Sequence, residues 1–166
     1  MMTYPGTTRA PLRRGFTLLE LLIVVAILAV LSVVVVPELT RAAGDDQEAR
    51  LVGALQTVRA QLELYRTQHG GEYPCGDPAG PVNAEVFMRR LTTRTTAAHR
   101  ADGPCGPYLV ALPVNPYNQK NTVRYVRPGQ PKGANQAGWA FDLDAGVLYS
   151  DDPGVTADGA VRHCDY

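Results

Sequence analysis

The sequence predicts an α+β chain in which a long N-terminal helix, membrane-spanning in its first half, packs on a small antiparallel sheet of about three strands. Three observations carry that expectation. Residues 16–36 are apolar except for Thr17, Glu20 and Ser32. Hydrophobic residues then recur every three or four positions as far as Tyr65, and the rest of the chain breaks into short alternating segments between glycine, proline and acidic turns.

The first element is the apolar run. As a helix it is about 31 Å long at 1.5 Å per residue, close to the thickness of a bilayer's hydrocarbon core. Residues 1–15 contain Arg9, Arg13 and Arg14 and no acid, which keeps the N-terminus in the cytoplasm and exports the head. A cleaved secretory signal fits poorly, because its apolar region is about 7–15 residues long and ends at a small-residue site, unlike Thr40-Arg41-Ala42. Glu20 is the anomaly. An acid at the centre of a membrane helix costs about 2.5–3.5 kcal/mol, and less near an end. Either it reaches the headgroups or it has a cationic partner.

The string Arg13-Arg14-Gly15-Phe16-Thr17-Leu18-Leu19-Glu20, followed by the apolar run and Pro37, closely resembles the class III signal of type IV prepilins and type II secretion pseudopilins. The resemblance implies that a prepilin peptidase cuts between Gly15 and Phe16, that Phe16 becomes an N-methylated amine, and that Glu20 neutralises this amine, within a subunit or between subunits. It implies residues 1–15 as a cleaved leader, 16–36 as the transmembrane and assembly helix, 37–69 as its amphipathic continuation and 70–166 as an exported head.

In the continuation, Leu51, Leu55, Val58, Leu62 and Tyr65 form one stripe, with Arg50, Gln56, Arg59, Gln61, Glu63 and Arg66 on other faces. Pro37 is a tolerated kink and Gly44-Asp45-Asp46 a second soft point. Gly70-Gly71 stops the helix and Pro74 prevents its restart. Residues 83–91, NAEVFMRRL, read as a short helix with Asn83 as N-cap and Val86, Phe87 and Leu91 buried. Strands are expected at 122–127, 138–142 and 146–149, with Asp144-Ala145-Gly146 as a tight reversal. The stretch 108–118, YLVALPVNPYN, resembles the loop before the sheet of major pseudopilins, from which it departs at Asn115, Tyr117 and Asn118.

In an oxidising compartment, Cys75, Cys105 and Cys164 allow one disulfide and one leftover thiol. Cys75 and Cys105 sit in comparable Gly/Pro-rich turns and are the first pairing considered, with Cys164 as the alternative partner. No C-x-x-C spacing points to zinc. No cofactor is expected, although Asp142, Asp144, Asp151 and Asp152, with Asp158 nearby, are calcium candidates, since acidic turns supply oxygen ligands and major pseudopilins bind calcium in a C-terminal loop.

Sixteen basic residues balance 16 acidic ones, and loss of the leader's three arginines leaves a net charge of −3. No basic tract suggests nucleic acid. His69, His99 and His163 accompany no nucleophile motif, and Ser32 and Ser150 are the only serines, so no enzyme is expected. The resemblance implies a structural subunit of a type IV pilus-like filament or type II secretion pseudopilus, made of copies of itself or related pilins. Prepilin peptidase, an inner-membrane assembly platform and the lipid bilayer are its expected partners. Its expected location is single-pass in the inner membrane, then a periplasmic pseudopilus or cell-surface filament. The alternative is a membrane-tethered or filament-tip binding module, a minor pilin or pseudopilin.

Overall fold

The computed structural model describes residues 15–75 and 83–166, without the side chains of Val34, Pro37, Thr40 and Arg41. The leader before Gly15 lies outside the described residues. The chain divides into two units, one ending at Thr40 and the other Arg41–Tyr166. Helix α1, Leu18–Gln68, contributes to both, matching the helix expected from the apolar run and the stripe. Its backbone is helical through Pro37; the expected kink falls on a side chain outside the described residues.

Within Arg41–Tyr166, the stripe of Leu51, Leu55, Val58, Leu62 and Tyr65 is buried as its spacing predicts. It joins Phe87 and Leu91 of α2 (Ala84–Thr92) and Trp139, Phe141 and Leu148 in one cluster. Each such aliphatic or aromatic side chain contributes about 1.5–3 kcal/mol when fully buried. Gly70 and Gly71 end α1 with φ of 67° and 93°, and the Gly71 amide donates to Arg66 O at 2.8 Å, a Schellman-type closure. Asn83 caps α2 by accepting from the Glu85 amide at 2.8 Å. Val86, expected on the buried side, is half-buried, while Met88 packs against the cluster.

Strands β1 (Val123–Val126), β2 (Trp139–Asp142) and β3 (Val147–Ser150) lie in the order β1-β2-β3. β2 and β3 form the expected antiparallel hairpin, with Trp139 opposite Ser150. Asp142 Oδ1 accepts from the Asp144 and Ala145 amides at 3.0 Å each, and Gly146 adopts φ 67°. Glycine is required there twice over, since a Cβ would also lie 2.4 Å from Tyr73 Oη. The expectation of a wholly antiparallel sheet is corrected at the other pair: β1 and β2 run parallel, Val123 opposite Trp139. A parallel neighbour needs a crossover of about a dozen residues rather than a tight turn. The glycine- and proline-rich residues 127–138 provide it.

The cysteine expectation is also corrected. Cys75, Cys105 and Cys164 are all free thiols, so neither the Cys75–Cys105 bridge nor a pairing with Cys164 is formed. Cys164 Sγ accepts from Arg162 Nη2 at 2.9 Å, and Cys105 is held in a two-way backbone bridge with Thr95. Burial pushes the Cys75 thiol up to about 12, and disulfide exchange requires the thiolate. The denatured chain is therefore expected to take up three alkyl groups with or without prior reduction. Mass spectrometry showing two extra alkylations only after reductant would restore a bridge.

Candidate functional site

The described part of the N-terminal unit begins with Gly15, which is exposed and precedes the helix. A Cβ built on it meets nothing within 4 Å, so the fold does not demand glycine here. Phe16 is 75% exposed. Thr17 opens α1, its Oγ1 accepting from the Glu20 amide at 3.2 Å while its carbonyl accepts from Leu21. Thr17-x-x-Glu20 is thus the spacing of a capping box, and an acid in the first turn also suits the helix dipole. Sequence reasoning missed the Thr17 cap, although the T-x-x-E spacing was legible. The side chain is exposed and makes no ion pair among the described residues.

Every described large apolar side chain of residues 16–39 is exposed. An apolar surface of that extent marks a membrane or protein contact. Counting only fully described residues, no helix is long and apolar enough to cross a membrane. In the sequence the apolar character of residues 18–33 continues to Val36.

In the head, the acidic candidates are spread over several separate hydrogen-bonded motifs. Asp151 is fully buried. Its Oδ1 accepts from Arg124 Nη2 at 2.6 Å and the Ala134 amide at 2.9 Å, and its Oδ2 from the Gln136 and Ala137 amides at 2.9 Å each. Burial alone would raise this carboxyl's pKa, but Arg124 and the Ala137 and Ala134 amides outweigh it and hold it below the ordinary carboxylate value. Asp152 Oδ2 meets His163 Nδ1 at 2.5 Å and accepts from the Gly154 amide at 2.9 Å. Asp142 serves the hairpin turn, and Asp158 accepts from Thr156 and the Ala160 amide. Asp144 is exposed. Among the described residues no group of three or more His, Cys, Asp or Glu is arranged to hold a metal.

The histidines are similarly engaged. Tyr65 Oη and His99 Nδ1 are 2.6 Å apart, His99 Nε2 meets Glu72 Oε2 at 2.7 Å, and His69 lies between Tyr65 O and Thr95 Oγ1. Tyr65 and His69 stack at 3.8 Å. Burial raises the Tyr65 pKa and lowers that of His69. No short sequence pattern announced this network, because it joins α1 to residues about thirty positions away.

The pattern for the prokaryotic N-terminal methylation motif matches residues 11–36. Among curated proteins, the type II secretion system core protein G of Klebsiella pneumoniae is 29% identical over 119 residues, 71% of this chain and 77% of the relative. The core protein G of Pseudomonas aeruginosa is 28% identical over 116 residues, covering 69% and 74%. The chain thus carries the N-terminal methylation motif and is similar over most of its length to type II secretion system core protein G. The ComG operon protein 3 homolog of Bacillus licheniformis is 31% identical over a shorter stretch of 61 residues, 37% of this chain and 63% of the relative. No solved structure matches the chain. The family's motif contains Gly15, Phe16 and Glu20, whereas Asp151, the histidines and the cysteines lie beyond it.

Proposed function

We propose that this chain is a structural subunit of a type II secretion pseudopilus or a closely related filament. It is cut between Gly15 and Phe16, methylated on the Phe16 amine and polymerised through the first half of α1. The observation that carries the reading is the exposed apolar surface of residues 16–39, interrupted near its start by an exposed Glu20. That surface suits the lipid bilayer before assembly and the same helix of neighbouring subunits afterwards. The relatives named core protein G favour the filament body over a tip-bound module. On this reading the chain enters the inner membrane with its N-terminus in the cytoplasm, and an assembly platform draws it into a periplasmic filament. It performs no catalysis and needs no cofactor.

Gly15 supplies the test. Because a side chain there has open space in this structure, Gly15→Leu leaves the fold intact and acts only on recognition by the peptidase. The variant is expected to keep the mass of the uncut precursor when co-expressed with a prepilin peptidase, while the unaltered chain loses residues 1–15. An identical mature mass for both would refute the cleavage site.

A further inference from the structure

Between α2 and Tyr108 the chain folds back on itself as a loop fastened to the end of α1. Inside the loop, the Thr95 amide donates to Cys105 O at 2.8 Å and the Cys105 amide returns to Thr95 O at 2.9 Å. Three side-chain bonds fasten it outward: His69 Nε2 to Thr95 Oγ1 at 3.0 Å, Tyr65 Oη to His99 Nδ1 at 2.6 Å, and His99 Nε2 to Glu72 Oε2 at 2.7 Å. The closed loop is also strained. His99 and Asp102 adopt φ of 60° and 61°, left-handed conformations that disfavour residues with side chains and persist only where the surroundings over-determine them. The fastenings therefore hold the loop against its own backbone.

A proton acts differently on the two histidines. A carbonyl only accepts, so His69 Nδ1, 2.8 Å from Tyr65 O, carries the hydrogen. Nε2 of the neutral ring is left to accept from the Thr95 hydroxyl. A carboxylate likewise only accepts, so His99 Nε2 donates to Glu72, and Nδ1 of the neutral ring accepts from Tyr65 Oη. An added proton costs His99 neither bond, since Nδ1 then donates to the phenol oxygen and Glu72 supplies the counter-charge. An added proton on His69 instead turns Nε2 into a donor and forces the Thr95 hydroxyl to turn its hydrogen away. It also places a cation in a side chain only 2% exposed, with no carboxylate bonded to it.

The surroundings of His69 oppose that charge. Tyr65, on the same helix, stacks on it at 3.8 Å, and the rings of His99 and Tyr108 lie 4.9 Å and 6.1 Å away. Arg90 acts on it from α2. Cys105 is bonded to Tyr108, Glu72 to His99, and Cys75 acts on Tyr65. Burial foremost, with His99 and Arg90, lowers the His69 pKa against the pull of backbone groups of Tyr65 and Thr96.

We propose that this corner is an acid-operated latch, in which protonation of His69 releases the loop at 93–106 from the end of α1. The open loop lets the imidazolium meet water and relaxes the two left-handed residues. With a folded pKa below the unfolded value of about 6.5, the closed form takes up the proton less readily than the open one. Closure is therefore complete above about pH 6.5, weakens about tenfold per pH unit below it, and levels off once the pH passes the lowered folded value. None of the three fastenings involves the sheet, so release uncovers Tyr65 and Tyr108 and leaves β1, β2 and β3 paired.

The test uses the full chain in detergent micelles. Exchange of the Thr95 and Cys105 amides, corrected for the intrinsic pH dependence of exchange, is followed from about pH 8 to about pH 4.5 beside the Leu55 and Leu62 amides of α1. NMR of the histidine rings gives the His69 midpoint. Loop protection is expected to fall about tenfold per pH unit below about 6.5 and then level off, while α1 protection holds and the His69 midpoint lies below about 6.5. His69→Gln, neutral at every pH and able to accept from Thr95, is expected to flatten the loop's response. His163→Gln removes the buried histidine of the C-terminal turn and is expected to leave that response in place. Loop protection independent of pH, a loss shared equally by α1, or a His69 midpoint at or above about 6.5 would each overturn the proposal. So would a response that survives His69→Gln or that His163→Gln abolishes. The first three outcomes are read on the unaltered chain, so they decide the matter even where a variant fails to fold.

Discussion

Asp151→Ala is expected to lower the stability of the head by about 3–5 kcal/mol, the cost of removing one partner from a buried ion pair. The carboxylate accepts four hydrogen bonds with no exposed surface of its own. Alanine leaves Arg124 facing a buried vacancy and strands three backbone amides. Asp151→Asn keeps the volume but turns an NH₂ group toward donors, so it is expected to fall between the two. Chemical denaturation of the full chain in micelles, with tryptophan fluorescence as the probe, measures both; Trp139 is the sole tryptophan and lies in the adjoining strand. A loss below 1 kcal/mol for Asp151→Ala would remove the clamp from any account of stability.

The same residue sets an acid limit. Its folded pKa is held below the unfolded value of about 3.9. Its contribution is therefore complete above about pH 4 and drains away as the pH falls through the lowered folded value. The Asp151→Ala variant is expected to lose that part of the acid sensitivity along with the stability.

Glu20→Val is expected to abolish filament formation while leaving leader removal intact. On the proposed reading, assembly carries the Phe16 amine into an apolar helical bundle, where removing its counter-charge costs about 3–5 kcal/mol for each subunit added. A penalty of that size lowers the association constant by at least a hundredfold per step. The capping bond survives, because Thr17 Oγ1 accepts from the residue-20 amide and not from its side chain. Glu20→Gln preserves length and hydrogen bonding without charge, and is expected to assemble poorly but measurably. Mass spectrometry reports the trimming, and electron microscopy of the sheared or periplasmic fraction reports the filaments. Normal filaments from Glu20→Val would end the ion-pair account.

The elements built from near neighbours were legible in the sequence. The stripe from Leu51 to Tyr65, the Gly70-Gly71 stop, the Asn83 cap and the Asp142 to Gly146 turn each depend on residues within a few positions of one another. The parallel pairing of β1 was not, because hydrophobic alternation does not encode strand direction. Only the length of the connection at 127–138 hinted at a crossover. The free cysteines were missed because spacing in the chain does not say which thiols the fold brings within bonding reach. The N-terminal motif was legible almost completely, being local, and the Thr17 cap was hidden in plain view within it. The bonds of His99 to Tyr65 and Glu72 and the four bonds of Asp151 were not legible, because they join residues far apart in the chain.

The Asp151 carboxylate recognises the amides of Ala134, Gln136 and Ala137 rather than their side chains. The crossover loop is consequently specified in main chain, which gives Ala134 and Gln136 mutational latitude with one exclusion, whereas Ala137 is buried. Proline has no N–H to offer. A drifting sequence can thus change the charge and size of that surface many times over while the β1 pairing beneath it stays where it is.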